Sequence, residues 1–272
     1  MTRYVICGGS AAGATAAAAI RGRDETAEII ICDRDSHSFY YRLNLDSYIA
    51  GECPREQLPC WKAERWQQLR LDLRLNTEVV SCDLKSQTVT LADGTLITFD
   101  KLLLAPGSAP LRPQWPGSEL ANIFTFRTLN DADNILRQAK SSESAVVVGG
   151  GVLGLVLAEA LSANCPKTTL LVREEFCWPQ QFDRETATII QEKLAGRGVI
   201  LRLGELVEEF IGANSVTAVR TDQAEIIAAQ LICVCIGVRP DVGFLAESGL
   251  GLNPGITINE RFQTSFPNVY AA

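Results

Sequence analysis

The stretch Tyr4-Val-Ile-Cys-Gly8-Gly9-Ser10-Ala11-Ala12-Gly13-Ala14-Thr15-Ala16 decides the fold of this 272-residue chain. A short apolar run, a glycine-rich loop and an alanine-rich segment follow one another. That order predicts a buried strand, a tight turn and a helix whose N-terminus can receive a pyrophosphate. Gly8, Ser10 and Gly13 take the three glycine positions of G-x-G-x-x-G, with Ala12 inside the loop. Ser10 departs from the pattern, and its hydroxymethyl group crowds the approach of a phosphate to the backbone. Alone, the loop fits an ordinary strand–helix turn as well.

The residues that follow complete the unit. Ala11–Arg23 reads as a helix whose small side chains pack close to a sheet, and Glu28-Ile-Ile-Ile-Cys32 reads as a buried strand. Asp33 ends that strand about 20 residues beyond Gly13, where an acid accepts hydrogen bonds from an adenosine ribose. Asp35 just beyond is a second candidate. A second unit starts at Ser144-Ala-Val-Val-Val-Gly149-Gly150-Gly151-Val152-Leu153-Gly154, with all three glycines at 149, 151 and 154 and with Val152 and Leu153 between them. One glycine loop is a weak signal. Two, each at a strand–helix junction, predict two dinucleotide-binding units.

Composition narrows the class. The net charge of −7 argues against nucleic acid as a partner, and no apolar run is long enough to span a membrane. The first strand begins so early that no room is left for a signal peptide. Nine cysteines, odd in number and irregular in spacing, include no C-x-x-C pair and no zinc pattern, so we expect reduced cytoplasmic thiols and no metal. A redox pair between Cys53 and Cys60 is the alternative. The one histidine, His37, is expected on an exposed loop and not as a general acid.

Between the loops the sequence predicts an amphipathic helix carrying Trp61 and Trp66 within residues 53–75. A strand and a hairpin follow over residues 73–99, marked by the turn Asp93-Gly94. Pro110, Pro113 and Pro116-Gly117 mark a linker. A strand from Ile123 to Phe126 and a helix capped near Asn130 or Asp131 precede the second loop. A β-meander is expected over residues 205–230.

Three segments carry a family resemblance. The run Phe39-Tyr40-Tyr41-Arg42-Leu43-Asn44-Leu45-Asp46-Ser47-Tyr48-Ile49-Ala50-Gly51-Glu52 resembles the Tyr-x-Arg…Ala-Gly-Glu stretch of FAD-dependent pyridine-nucleotide oxidoreductases. It is most like the rubredoxin-reductase, ferredoxin-reductase and nitrite-reductase flavoprotein types. Phe99-Asp100-Lys-Leu-Leu-Leu-Ala105-Pro106-Gly107-Ser108 is similar to the family's D-K-L-L-L-A-T-G-S, with Pro106 in place of Thr. Leu231-Ile-Cys-Val-Cys-Ile-Gly237-Val-Arg239-Pro240-Asp241 matches a run that ends in G-V-R-P.

The resemblance implies that FAD sits on Gly8, Ser10, Ala12, Gly13, Asp33, Asp35, Arg42, Val79, Ala105, Pro106, Gly107 and Arg112. It implies that NAD(P)H sits on the loop 149–154, on Arg173 or Glu174, and on Gly237. In the family an arginine matching Arg42 pairs with pyrophosphate oxygens. Arg173 at the strand end suits a 2′-phosphate, whereas Glu174 suits NADH; both remain open, with NADPH slightly ahead. Ser47 replaces a lysine, and Val156 replaces a glutamate found near the nicotinamide. No cysteine stands where peroxidase or disulfide-reductase relatives carry one, so no side chain is expected to act as a nucleophile. The family continues beyond the final Val269-Tyr-Ala-Ala272 with Gly-Asp and an interface domain, neither of which this sequence contains.

The expected fold is therefore α/β, with two Rossmann-like dinucleotide-binding domains, the second inserted in the first and the C-terminal interface domain missing. Residues 1–112 form the FAD-binding domain, 113–240 the NAD(P)-binding domain, and 241–272 return to the first. The expected function is an FAD-dependent NAD(P)H oxidoreductase that passes electrons to a redoxin or partner reductase. The alternative is a nucleotide-binding subunit without turnover; Ser10, Pro106, Val156 and the ending at Ala272 favour it. A dehydrogenase with two Rossmann units and a single nucleotide is disfavoured by the hairpin-rich segment 73–100.

Overall fold

A computed structural model describes residues 1–272. Along the chain run β1 (Arg3–Cys7), α1 (Ala11–Arg23), β2 (Glu28–Cys32), α2 (Leu45–Ala50), α3 (Ala63–Gln68), β3 (Asp72–Arg74), β4 (Val79–Asp83), β5 (Thr88–Leu91), β6 (Leu96–Thr98), β7 (Lys101–Leu104) and β8 (Ser108–Pro110). Then come β9 (Ile123–Thr125), α4 (Leu129–Ala139), β10 (Ser144–Val148), α5 (Val152–Ser162), β11 (Lys167–Val172), α6 (Arg184–Gly196), β12 (Val199–Leu203), β13 (Val207–Gly212), β14 (Val216–Thr221), β15 (Ile226–Ala228), β16 (Leu231–Val234), β17 (Val238–Pro240) and β18 (Val269–Ala271). The chain divides into two compact units. One comprises Met1–Tyr41, Pro59–Ala109 and Arg239–Ala272; the other comprises Arg42–Leu58 and Pro110–Val238.

The first unit is built on a parallel sheet of order β18-β7-β1-β2-β3. Alternation along β1 sends Val5 and Cys7 to one face and Ile6 to the other. Val5 and Cys7 join a core with Leu102, Leu104, Val269 and the antiparallel strands β4-β5-β6. Ile6 meets Ala14 and Ala17 of α1, Ile29, Ile31 and Trp66. Both faces are covered, which is why the strands read as unbroken apolar runs. Trp66 is buried in α3, but Trp61 lies outside any helix. The helix expected to carry both tryptophans within residues 53–75 is confined by Pro54 and Pro59 to a short turn at Arg55–Gln57 and a six-residue α3 that holds Trp66 alone. Trp61 packs instead on Trp66 and Phe39, with ring centroids 4.8 and 5.8 Å away.

The second unit repeats the plan with a parallel sheet of order β12-β11-β10-β16-β9 and a three-stranded meander β13-β14-β15 over one face. Val146, Val148, Leu171, Ile232 and Val234 pack against Phe210, Val216 and Val219 of the meander. Strand β9 stops at Thr125, one residue short of the Phe126 expected from sequence. Helix α4 is capped by Thr128, not by Asn130 or Asp131. Thr128 Oγ1 accepts from Asp131 N–H at 3.1 Å, and Asp131 Oδ2 accepts from Thr128 N–H at 2.8 Å. That reciprocal pair is a capping box with Asp at the third position. No helix is long and apolar enough to cross a membrane.

Candidate functional site

Each unit carries a cavity at the C-terminal ends of its parallel strands, where open α/β sheets bind ligands. In the first unit Gly8 follows β1 with φ +103, and a Cβ there would overlap the carbonyl of Ala105. A Cβ on Gly13 would overlap the carbonyl of Gly8. The second unit has the same arrangement. Gly149 has φ +120 against the Cys235 carbonyl, and Gly154 lies on the Gly149 carbonyl. Only glycine permits these approaches, so both loops are held hard against the start of the helix that follows.

Those two helices share a second property. Ser10 occupies the N-cap of α1 without a side-chain cap bond, and Gly151, with no side chain, occupies that of α5. Neither first turn contains an acid. By contrast α4 and α6 are capped by Thr128 and Asp183. Uncapped N–H groups behind a glycine loop suit an anion. The serine at position 10 thus leaves the N-terminus of α1 open.

The first cavity, about 380 Å³, is lined by Gly8, Asp33, Val79 and Pro106 among the residues expected from sequence. Asp33 also organises the loop: Oδ2 accepts from Gly9 N–H at 2.7 Å and Oδ1 from Asp35 N–H at 2.9 Å. Asp35 does not line the cavity. Its Oδ1 accepts from His37 N–H at 3.0 Å and its Oδ2 accepts from Tyr40 O–H at 2.9 Å, so its carboxylate closes the loop 35–40. His37 is half-buried rather than exposed, with Nδ1 at 3.0 Å from Ser36 Oγ. Sequence reasoning missed Arg34, whose Nη2 pairs with Asp241 Oδ2 at 2.5 Å on the wall of this cavity. The strand-end rule that found Asp33 also covers Arg34. Its partner is some 200 residues away and has no local signal.

Ala12, Gly13, Ala105 and Gly107 do not line this cavity. The Gly107 carbonyl accepts from Asp241 N–H at 3.1 Å. Arg42 opens a short turn, Arg42–Asn44, that groups with the second unit. Arg112 also belongs to the second unit, with Nη2 at 3.5 Å from Thr125 Oγ1.

The second cavity, about 630 Å³, brings together Gly149, Gly151, Val152, Leu153, Arg173, Glu174 and Gly237, all expected from sequence. Gly154 is tucked below the loop. Arg173 Nη2 and Nε donate to Glu174 Oε1 at 2.7 and 3.1 Å, so the two candidate selectors are tied to each other. Trp178, Glu205 and Leu206 are further lining residues that the sequence did not mark. Glu205 is buried and held by Arg202 at 2.7 and 3.1 Å.

Cysteines touch both cavities: Cys7 and Cys32 in the first, Cys235 in the second. Burial pushes the Cys32 thiol up to about 11 and the Cys235 thiol up to about 12. Cys7 is raised as well, first by its hydrogen bond with Cys82 and then by burial. At neutral pH all three are thiols rather than nucleophilic thiolates. All nine cysteines are unpaired.

The model of one family, pyridine nucleotide-disulphide oxidoreductase, matches residues 2–272. Among curated relatives, the nitrite reductase [NAD(P)H] of Bacillus subtilis is 29% identical over 244 residues, covering 90% of this chain and 30% of that protein. The CoA-dependent NAD(P)H sulfur oxidoreductase of Pyrococcus abyssi is 33% identical, covering 98% of this chain and 61% of that protein. In a crystal structure of a covalent putidaredoxin reductase–putidaredoxin complex, one chain is 28% identical with a TM-score of 0.93. That match covers 100% of this chain and 67% of the other. The chain thus spans less than two thirds of either curated relative.

Proposed function

This chain belongs to the pyridine nucleotide-disulphide oxidoreductase family, and from that membership we propose that it is an FAD-dependent NAD(P)H oxidoreductase. Electrons leave for a redoxin or a partner reductase, as the names of its relatives suggest. FAD supplies a two-electron acceptor and the nicotinamide supplies the hydride. The residues of this chain bind and orient both and need no nucleophile, in keeping with the protonated thiols.

One observation carries the reading: each unit has one βα turn, β1–α1 or β10–α5, that is a glycine loop leading into a helix without a side-chain cap, beside a cavity. We assign FAD to the first unit. Residues 8–13 take the pyrophosphate, Asp33 takes the ribose and Val79 takes the adenine. A carboxylate has four lone-pair sites, so Asp33 can serve the loop and a ribose together. We assign NAD(P)H to the second unit, on residues 149–154, Arg173 or Glu174, and Gly237. The nine free thiols accord with a cytoplasmic setting.

The test uses the purified chain reconstituted with FAD. It should be yellow, absorbing near ~450 nm as a bound flavin does, and NADH or NADPH added without oxygen should bleach it. A chain that cannot retain FAD overturns the proposal. A yellow chain that neither nucleotide bleaches supports instead a binding subunit without turnover.

A further inference from the structure

We propose that Trp178 is the adenine-stacking wall of the second cavity, a residue that selects adenine dinucleotides over the nicotinamide half alone. The inference rests on the nucleotide reading of that cavity and deepens it. In a βαβ dinucleotide unit the adenosine lies over the ends of the second strand and its outer neighbour, while the nicotinamide extends past the first strand to the opposite side. Here the second strand is β11 and its outer neighbour is β12. The adenine end must therefore be bounded by the loops after β11 and β12. Those loops contribute Trp178 from one side and Glu205 and Leu206 from the other, all lining one cavity. The opposite end is lined by Leu111, Trp115 and residues 235–238 after β16.

The backbone at Trp178 supports a dedicated role. Its φ is +51, in the left-handed region that a bulky side chain rarely adopts. Such a conformation persists only where its surroundings hold it. Four contacts do so. The Trp178 carbonyl accepts from Gln181 N–H at 3.0 Å and from Phe182 N–H at 3.1 Å. Buried Cys177 donates its N–H to Gln191 Oε1 at 3.0 Å, which ties the loop to α6. The indole meets Phe182 edge to face, with centroids 5.2 Å apart and planes at 81°. The ring is thus fixed rather than free to collapse, and it remains half-buried on the cavity wall. A pre-oriented aromatic face is what a purine base stacks on.

The experiment compares Trp178→Asn and Trp178→Phe with the unaltered chain. Asn tolerates the left-handed backbone and removes the aromatic face, while Phe keeps a face. Binding of NADH, of AMP and of reduced nicotinamide mononucleotide, which lacks the adenosine, is measured by titration calorimetry. Trp178→Asn should weaken NADH and AMP about tenfold, the lower range for one base stacked on an aromatic ring, and leave the mononucleotide unchanged. Trp178→Phe should recover most of the loss. NADH binding that survives Trp178→Asn within about twofold overturns the inference alone. Equal loss of the mononucleotide also overturns it, by showing that the loop serves only structure. An unaltered chain that binds neither NADH nor AMP overturns the nucleotide reading together with the inference.

Discussion

At the residue scale, the structure changes what Arg173 and Glu174 mean. The sequence offers them as alternatives, one suited to a 2′-phosphate and one to a free ribose. The structure joins them in a charge-assisted pair, with Arg173 exposed and Glu174 largely covered. Arg173 can leave this exposed pair at small cost, because such pairs contribute little in water. It would then meet a phosphate, a better bidentate partner than a carboxylate it already shares. Arg173→Ala should therefore weaken NADPH about tenfold and NADH by less than about threefold, within the range for a lost charge-assisted hydrogen bond. Dissociation constants for the two nucleotides decide it, and equal losses would remove the 2′-phosphate role.

At the element scale, the four long helices divide by what caps them. Thr128 and Asp183 satisfy the first N–H groups of α4 and α6, whereas α1 and α5 begin without a side-chain cap. Thr128→Ala should cost about 1 kcal/mol in urea unfolding, the usual worth of such a cap. Ser10→Ala should cost almost nothing in FAD-free protein, because Ser10 makes no cap bond to lose. A comparable cost at Ser10 would mean that the N-terminus of α1 is not open to a ligand. These elements were readable to different depths in the sequence. Helix α1 and strand β2 stand where periodicity and the glycine loop put them, because both faces of their sheet are buried and the apolar runs are unbroken. The cap of α4 was misplaced because Thr128, Asn130 and Asp131 all suit a cap in isolation, and only the reciprocal bond separates them. The expected helix includes Trp61 because two tryptophans mimic a helical stripe, whereas Trp61 lies ahead of α3, just after Pro59, and packs on Trp66 with the ring planes tilted by 57°.

At the scale of the whole molecule, the chain has built one device twice. Gly8, Gly13 and Ala105 in the first unit correspond to Gly149, Gly154 and Cys235 in the second, with the same close approaches in each. This duplication was legible because glycine spacing is a local signature. The rest of each cavity was not, because loops at the ends of parallel strands converge from distant parts of the chain. Arg34 with Asp241 and Trp178 with Leu206 are examples. Two sites held by separate units should fail separately. Gly13→Ala puts a methyl group on the Gly8 carbonyl, and Gly154→Ala puts one on the Gly149 carbonyl. Overpacking of this kind costs about 1–3 kcal/mol, enough to lower affinity tenfold or more where the displaced loop is the binding surface. Gly13→Ala should lose FAD. Gly154→Ala should keep it, as judged by flavin absorbance per chain, while anaerobic reduction by NAD(P)H falls at least about tenfold. Circular dichroism melts of both variants distinguish a displaced loop from a lost fold. If Gly154→Ala also sheds its flavin while remaining folded, the second loop supports the first site, and the assignment of one nucleotide to each unit fails.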